Sequence, residues 1–238
     1  MKTQKSCNVW FGFKKFCLSL VACMALATGS VFVAPLDANA GISFSNSRYK
    51  EIRWYDDTGT TLPRVPNYSK YNLLNIVQPG DVIYEADTFF GLTGHVSTIE
   101  GIFYDSTLNR DYIRLVETHN RFMVRGYGVV RGVLDDQRVD DRGITIYRVN
   151  NATQAQRQAA AVWPIAQLGK PYTFNFFYYT SSPNNADWYC SELVWASWLN
   201  QGINIRNNGW LAISAAITPR DVSSYSQAVT KIFKGDKT

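Results

Sequence analysis

Cysteine is almost missing from this chain. Three of its four cysteines, Cys7, Cys17 and Cys23, fall within the first two dozen residues, and Cys190 stands alone in the remainder. Once the N-terminal segment is removed no intramolecular disulfide can form, so no disulfide framework can hold the fold. A solitary thiol is then a small buried hydrophobe, a partner for another chain, or a reactive group. Histidine is scarcer still, with only His95 and His119. Any imidazole that activates the thiol must come from that pair. A clustered charge of one sign is also lacking. The formal net charge of +5 falls to +2 without residues 1–40, which carry four lysines and one aspartate. Nothing therefore points to a nucleic-acid surface, which needs a concentrated basic face. Beyond residue 40 no apolar run is long enough to span a bilayer.

The N-terminus accounts for most of the basicity. Lysines at 2, 5, 14 and 15 precede the apolar run "FCLSLVACMALATGSVFVAP", which closes at "ANA" before Gly41. A basic region, an apolar region and a small-x-small site read as a secretory signal peptide spanning 1–40. The expectation is an exported, mature protein that starts at Gly41, is secreted, periplasmic or cell-wall associated, and has no stable membrane anchor. "LVAC", ending at Cys23, is the competing lipoprotein-type reading. Residues 41–78 are rich in turn formers and read as an extension that packs on the domain formed by 79–238.

Within that domain, "VQPGDVIYE" reads as a turn at Pro79-Gly80 followed by a short strand. "HVSTIEGIF" reads as a strand with His95, Ser97, Ile99 and Phe103 on one face. "RDYIRLVETHN" reads as the next strand, with Ile113, Leu115, Glu117 and His119 in line. Glu117 thus lies on an apolar face, where a carboxylate is costly without a partner, and a histidine of the neighbouring strand would serve. Glu100 alternates to the face opposite His95. "RGVLDDQRVDDRG", 131–143, reads as a charged loop whose arginines balance its aspartates. "ITIYRV" reads as a strand. A helix starts at Thr153, where Thr153 and Gln156 have capping-box spacing, and Pro164 should kink or end it. A last helix begins near Asp187 or Trp188 and stops at Gly202. That puts Cys190 in its first turn, where free backbone N–H groups and the helix dipole favour a thiolate. Thiol, base and orienting carboxylate together make a Cys-His nucleophilic site.

The segments "QPGDVIYE", "TGHVSTIEG" and "LGKPYTFNFF…WYCSELVWASW" resemble the NlpC-type papain-like cysteine hydrolases in circularly permuted form, the YiiX/YycO-like group. The histidine strand comes first and the cysteine helix last, which is that group's order, and the resemblance covers residues 76–222. It implies an α+β fold in which the nucleophile helix packs on an antiparallel half-barrel sheet. It also implies Cys190 as nucleophile, His95 as base, Glu117 as third catalytic residue and Tyr172 as a substrate-binding residue beside the thiol. "WYC" departs from the family's aspartate before the cysteine. The function so implied is amide hydrolysis without metal or organic cofactor, on a peptide or acyl-amide substrate such as peptidoglycan. A lipid or N-acyl hydrolase or acyltransferase is the alternative, with the aromatic run Phe174, Phe176, Phe177, Tyr178 and Tyr179 either lining the site or packing in the core. A non-catalytic binding module is the third reading.

Overall fold

The computed structural model describes residues 65–86, 94–105, 109–120, 128–207 and 216–236. The segment read as a signal peptide, most of the 41–78 extension and most of the loop that delivers His95 lie outside these residues. The strands are β1 (Val82–Glu85), β2 (His95–Asp105), β3 (Arg110–His119), β4 (Gly128–Leu134), β5 (Ile144–Val149) and β6 (Val229–Lys234). They form one open sheet in the order β4-β3-β2-β1-β5-β6, with every neighbouring pair antiparallel. Among the described residues three α-helices accompany it: α1 (Asp136–Arg142), α2 (Gln154–Val162) and α3 (Cys190–Leu199).

The central strands are covered on both faces, which is why β1 reads as a continuous apolar run ending in a glutamate rather than an alternation. On one face Val82, Tyr84, Val96, Val116 and Val149 pack with Leu193, Val194 and Trp198 of α3 and with Ala160 of α2. On the other, Ile83, Ile99, Ile113, Leu115, Ile144 and Ile146 meet Leu134, Val139 of α1, and Leu73 and Val77 from the chain that leads into β1. Residues Cys190 to Trp198 of α3 are all buried, Ser191, Glu192 and Ser197 among them, so this helix is enclosed by other elements on every side.

Two sequence expectations need correction. Residues 131–143 are not a charged loop: they finish β4 and then form α1. The Asp135 side chain caps α1 by accepting the Arg138 backbone N–H, and Gly143 closes it in the left-handed region at φ 62. The helix has only seven residues, too few to show a period among so many charges. Phe103 also leaves the face assigned to it. A bulge between Ile99 and Gly101 shifts the β2–β3 register, so Ile102 joins the Ile113 side, while Phe103 packs on the other face with Tyr112 and Val133. The expected capping box at Thr153 and Gln156 is present, and α2 gives way to a short 3-10 turn at Trp163–Gln167 where Pro164 intervenes. The α3 helix starts two or three residues later than read and ends at Leu199; Gly202 sits three residues beyond, at φ 79.

Candidate active site

Cys190 is the first residue of α3, and Tyr189 before it is extended. The chain is fixed here by a short parallel bridge, in which the Trp188 N–H donates to the Pro171 carbonyl at 3.0 Å and the Thr173 N–H to the Trp188 carbonyl at 3.1 Å. The N–H groups of a helix's first turn have no partner within the helix, and they put the positive end of its dipole at the sulfur. Burial disfavours the thiolate. Hydrogen bonding and charge from His95, with the Val96 backbone N–H, outweigh it and draw the Cys190 pKa below the ordinary thiol value.

His95 opens β2 directly opposite Glu85 of β1. Its Nε2 lies 3.1 Å from Glu117 Oε2, and its ring also hydrogen-bonds the Cys190 side chain. Burial opposes a charged imidazole, but the bonds to Cys190 and Glu117, with the charges of Cys190 and Glu85, push the His95 pKa up to about 10. Thiolate and imidazolium therefore each favour the charged form of the other.

Glu117 is 1 % exposed. An ionised carboxylate is not stable there without compensation, and the compensation is Arg138, one of the arginines in the stretch misread as a loop. Its Nη1 donates to Glu117 Oε1 at 3.1 Å and its Nη2 to Oε2 at 2.6 Å. Its Nε donates to Glu85 Oε1 at 2.8 Å. A guanidinium is suited to this because its donors form a rigid planar fork. Burial raises the Glu117 pKa, yet the charge of Arg138, then His119, and the hydrogen bonds of both histidines hold it well below the carboxylate range. Gly132 on β4 leaves room for the arrangement: a Cβ there would stand 2.0 Å from Glu117 Oε1 and 3.0 Å from Arg138 Nη1.

The second histidine is part of the same cluster. His119 stacks on His95 with ring centroids 4.8 Å apart, and its Nε2 lies 3.1 Å from Glu117 Oε2. Burial first, then the charges of His95 and Arg138, hold its pKa below the ordinary value against the pull of Glu117. His119 is the neutral imidazole of the pair. His95, Glu117 and His119 are metal-ligating residue types with donor atoms within 4.8 Å of one another. They do not fit a metal ion, because Arg138 already occupies both Glu117 oxygens and a buried cation 2.6 Å from one of them opposes a second.

Sequence reasoning thus named Cys190, His95 and Glu117, which the fold brings together, and missed Arg138, Glu85, Gly132 and the sharing of Glu117 by His119. The one legible trace of Arg138 was its place three residues after a capping aspartate. Tyr172 lies beside the thiol, where burial and the neighbouring Cys190 charge raise its pKa. Its ring meets Phe174 edge-on, and a chain of such contacts continues through Phe176 to Tyr189. The aromatic run is not core: Phe177 and Tyr178 are 76 % and 81 % exposed. Glu100, the rival carboxylate, is bound by Arg114 and Arg131 and makes no contact with His95 among those described.

A family model described as permuted papain-like amidase enzyme, YaeF/YiiX, C92 family, matches residues 76–215, which include every residue of this cluster. The chain belongs to the C92 family. The matched description names a permuted papain-like amidase, and the chain has the permuted papain-like fold of that family. It is 28 % identical over 130 residues to the uncharacterized protein YycO of Bacillus subtilis (strain 168), a match covering 53 % of this chain and 51 % of YycO. The chain thus spans about half the length of that curated relative. The crystal structure of metalloprotein yiiX from Escherichia coli O157:H7 is similar over 67 % of this chain and 98 % of that one, with a TM-score of 0.44 and 19 % identity.

Proposed function

We propose that this C92 protein is an exported cysteine amidase that cleaves an amide bond in peptide material, cell-wall peptides included, through Cys190, His95 and Glu117. One observation carries the reading: a single imidazole bonds a helix-terminal thiol and, through Nε2, a fully buried carboxylate at 3.1 Å. The Cys190 thiolate attacks the carbonyl carbon, and the oxyanion faces the free N–H groups at the start of α3. His95 gives its proton to the leaving nitrogen, and the amine departs from a thioester. Neutral His95 then takes a proton from water, the hydroxide attacks the thioester, and the acid product and the thiolate separate. Glu117 holds the imidazole's orientation and stabilises its charged form throughout. Export rests on the basic, apolar and "ANA" pattern of residues 1–40. The test is incubation of mature protein with purified peptidoglycan fragments, read by mass spectrometry for new amine and carboxyl ends. Release that is lost in Cys190→Ala supports the reading, and no release from any peptide amide sinks it.

The exposed aromatics favour a second substrate class, N-acyl amides or lipids, because Phe174, Phe176, Phe177 and Tyr178 extend outward from Tyr172. Acyl-amides offered in the same assay, with turnover that rises with chain length, would select it.

A further inference from the structure

We propose that Arg138 is a positioning residue of the catalytic centre, which fixes Glu117 as an ionised acceptor so that His95, and not Glu117, carries the mobile proton. This deepens the amidase reading and rests on it.

The competition at Glu117 makes the case. Three nitrogen atoms converge on one carboxylate oxygen: His95 Nε2 and His119 Nε2, each at 3.1 Å, and Arg138 Nη2 at 2.6 Å. A carboxylate with this burial and only imidazole partners has two other choices. It can take a proton and lose its value as an acceptor, or rotate toward His119 and leave His95 unoriented. The guanidinium removes both choices. Its charge keeps Glu117 ionised, and its two prongs, one per oxygen, lock the carboxylate plane so that Oε2 faces His95.

Arg138 is itself held from the far side. Glu85 Oε1 accepts from Nε at 2.8 Å, and the Val133 carbonyl accepts from Nη1 at 3.3 Å. Glu85 is also the cross-strand partner of His95, so both ends of the clamp refer to the same place in the sheet. The bare backbone of Gly132 admits it. The charged and titratable groups around Glu117 are Glu85 from β1, His95 from β2, His119 from β3, and Arg138 from α1. Arg142, also on α1, acts on Glu85, and Cys190 on α3 acts on His95.

The experiment is the pH dependence of Cys190 alkylation by iodoacetamide in the full mature chain, in which the sulfur displaces iodide and thiolate is the reacting form. Wild type should react from below the ordinary thiol range. Arg138→Met should move that onset upward by about one pH unit or more, the size of effect one close charge has on a site. Arg138→Lys should restore part of the shift, since it returns the charge without the fork. In a Glu117→Gln background, Arg138→Met should add no further shift. If Arg138→Met does not fold, Arg138→Met with Glu85→Gln removes the clamp at constant net charge and should show the same upward shift. An unchanged onset in these variants, or an equal shift with and without Glu117, overturns the inference while leaving the amidase reading intact. A wild-type thiol that titrates in the ordinary range removes the reading itself, and the inference with it.

Discussion

Glu100 and Glu117 are buried carboxylates on neighbouring strands of one sheet, and each is met by arginine. Glu100 takes Arg114 through Nε at 2.6 Å and through a second guanidinium nitrogen, and Arg131 through Nε at 3.0 Å. The Arg114 guanidinium in turn lies 3.5 Å over the Phe103 ring. Glu117 has one arginine and two histidines. Both carboxylates are compensated, as burial requires. Of the two, only Glu117 has imidazole partners, which can gain and lose a proton, and among the described residues one of them, His95, bonds the Cys190 thiol. A buried carboxylate is thus no mark of chemistry; what surrounds it decides.

Several substitutions bear on this contrast. The largest effect belongs to the groups that Glu117 serves. Cys190→Ala should abolish hydrolysis, and His95→Ala should lower kcat/KM by roughly a thousandfold and slow thiol labelling. An active His95→Ala with an inactive His119→Ala would give the base role to the other ring. Glu117→Gln should retain the fold and reduce turnover by roughly a hundredfold. Glu100→Gln should do the reverse: turnover is retained, while urea unfolding reports a loss of about 3 kcal/mol, as for a buried ion pair deprived of one partner. Loss of turnover at full stability in Glu100→Gln would erase the distinction.

Gly132→Ala should separate geometry from charge. No charge changes, but the added methyl must displace the Glu117 carboxylate, at a cost of roughly 1–3 kcal/mol in stability. The accompanying fall in turnover should exceed that of Val133→Ala one residue away.

Titration probes the same contrast. Hydrolysis should follow a bell whose alkaline limb lies near the His95 value of about 10, with its acid limb below the ordinary thiol range. Stability should respond on the acid side. The pKa values of Glu117 and Glu85 are depressed by folding, so their contribution is present above the ordinary carboxylate value and lost as pH falls toward the folded-state values. The melting temperature should therefore drop on acidification below about pH 4.5 in wild type, and less steeply in Glu117→Gln.

The smallest effect concerns Glu192, on α3 two residues after the nucleophile. Its Oε1 accepts the Thr180 N–H at 2.9 Å, while burial raises its pKa to about 7. A carboxyl whose folded pKa is raised stabilises the fold at low pH and loses that contribution as pH rises through the folded value. Glu192→Gln should therefore raise the melting temperature slightly at pH 8 and leave it unchanged at pH 5.

Much of the site was legible because it rests on short-range rules. A first-turn thiol follows from turn residues before a helix, and the inward face of Glu117 follows from alternation with Ile113 and Leu115. The capping box of α2 lies within four residues. The same rules failed where a local pattern was interrupted. One bulge at Glu100 moved Phe103 to the other face, and α1 was too short to show a period.

From its sequence alone this protein was determined to have one thiol beyond its first two dozen residues, two candidate bases, a carboxylate on an apolar strand face and the permuted order of these motifs. Tertiary structure decided how the carboxylate is held and which imidazole carries charge. Arg138 meets Glu117 across 21 positions and Glu85 across 53, and His95 and His119 differ only in what lies beyond each ring. Those are differences of desolvation and Coulomb energy, set by neighbours that the sheet and α1 assemble, and no local pattern encodes them.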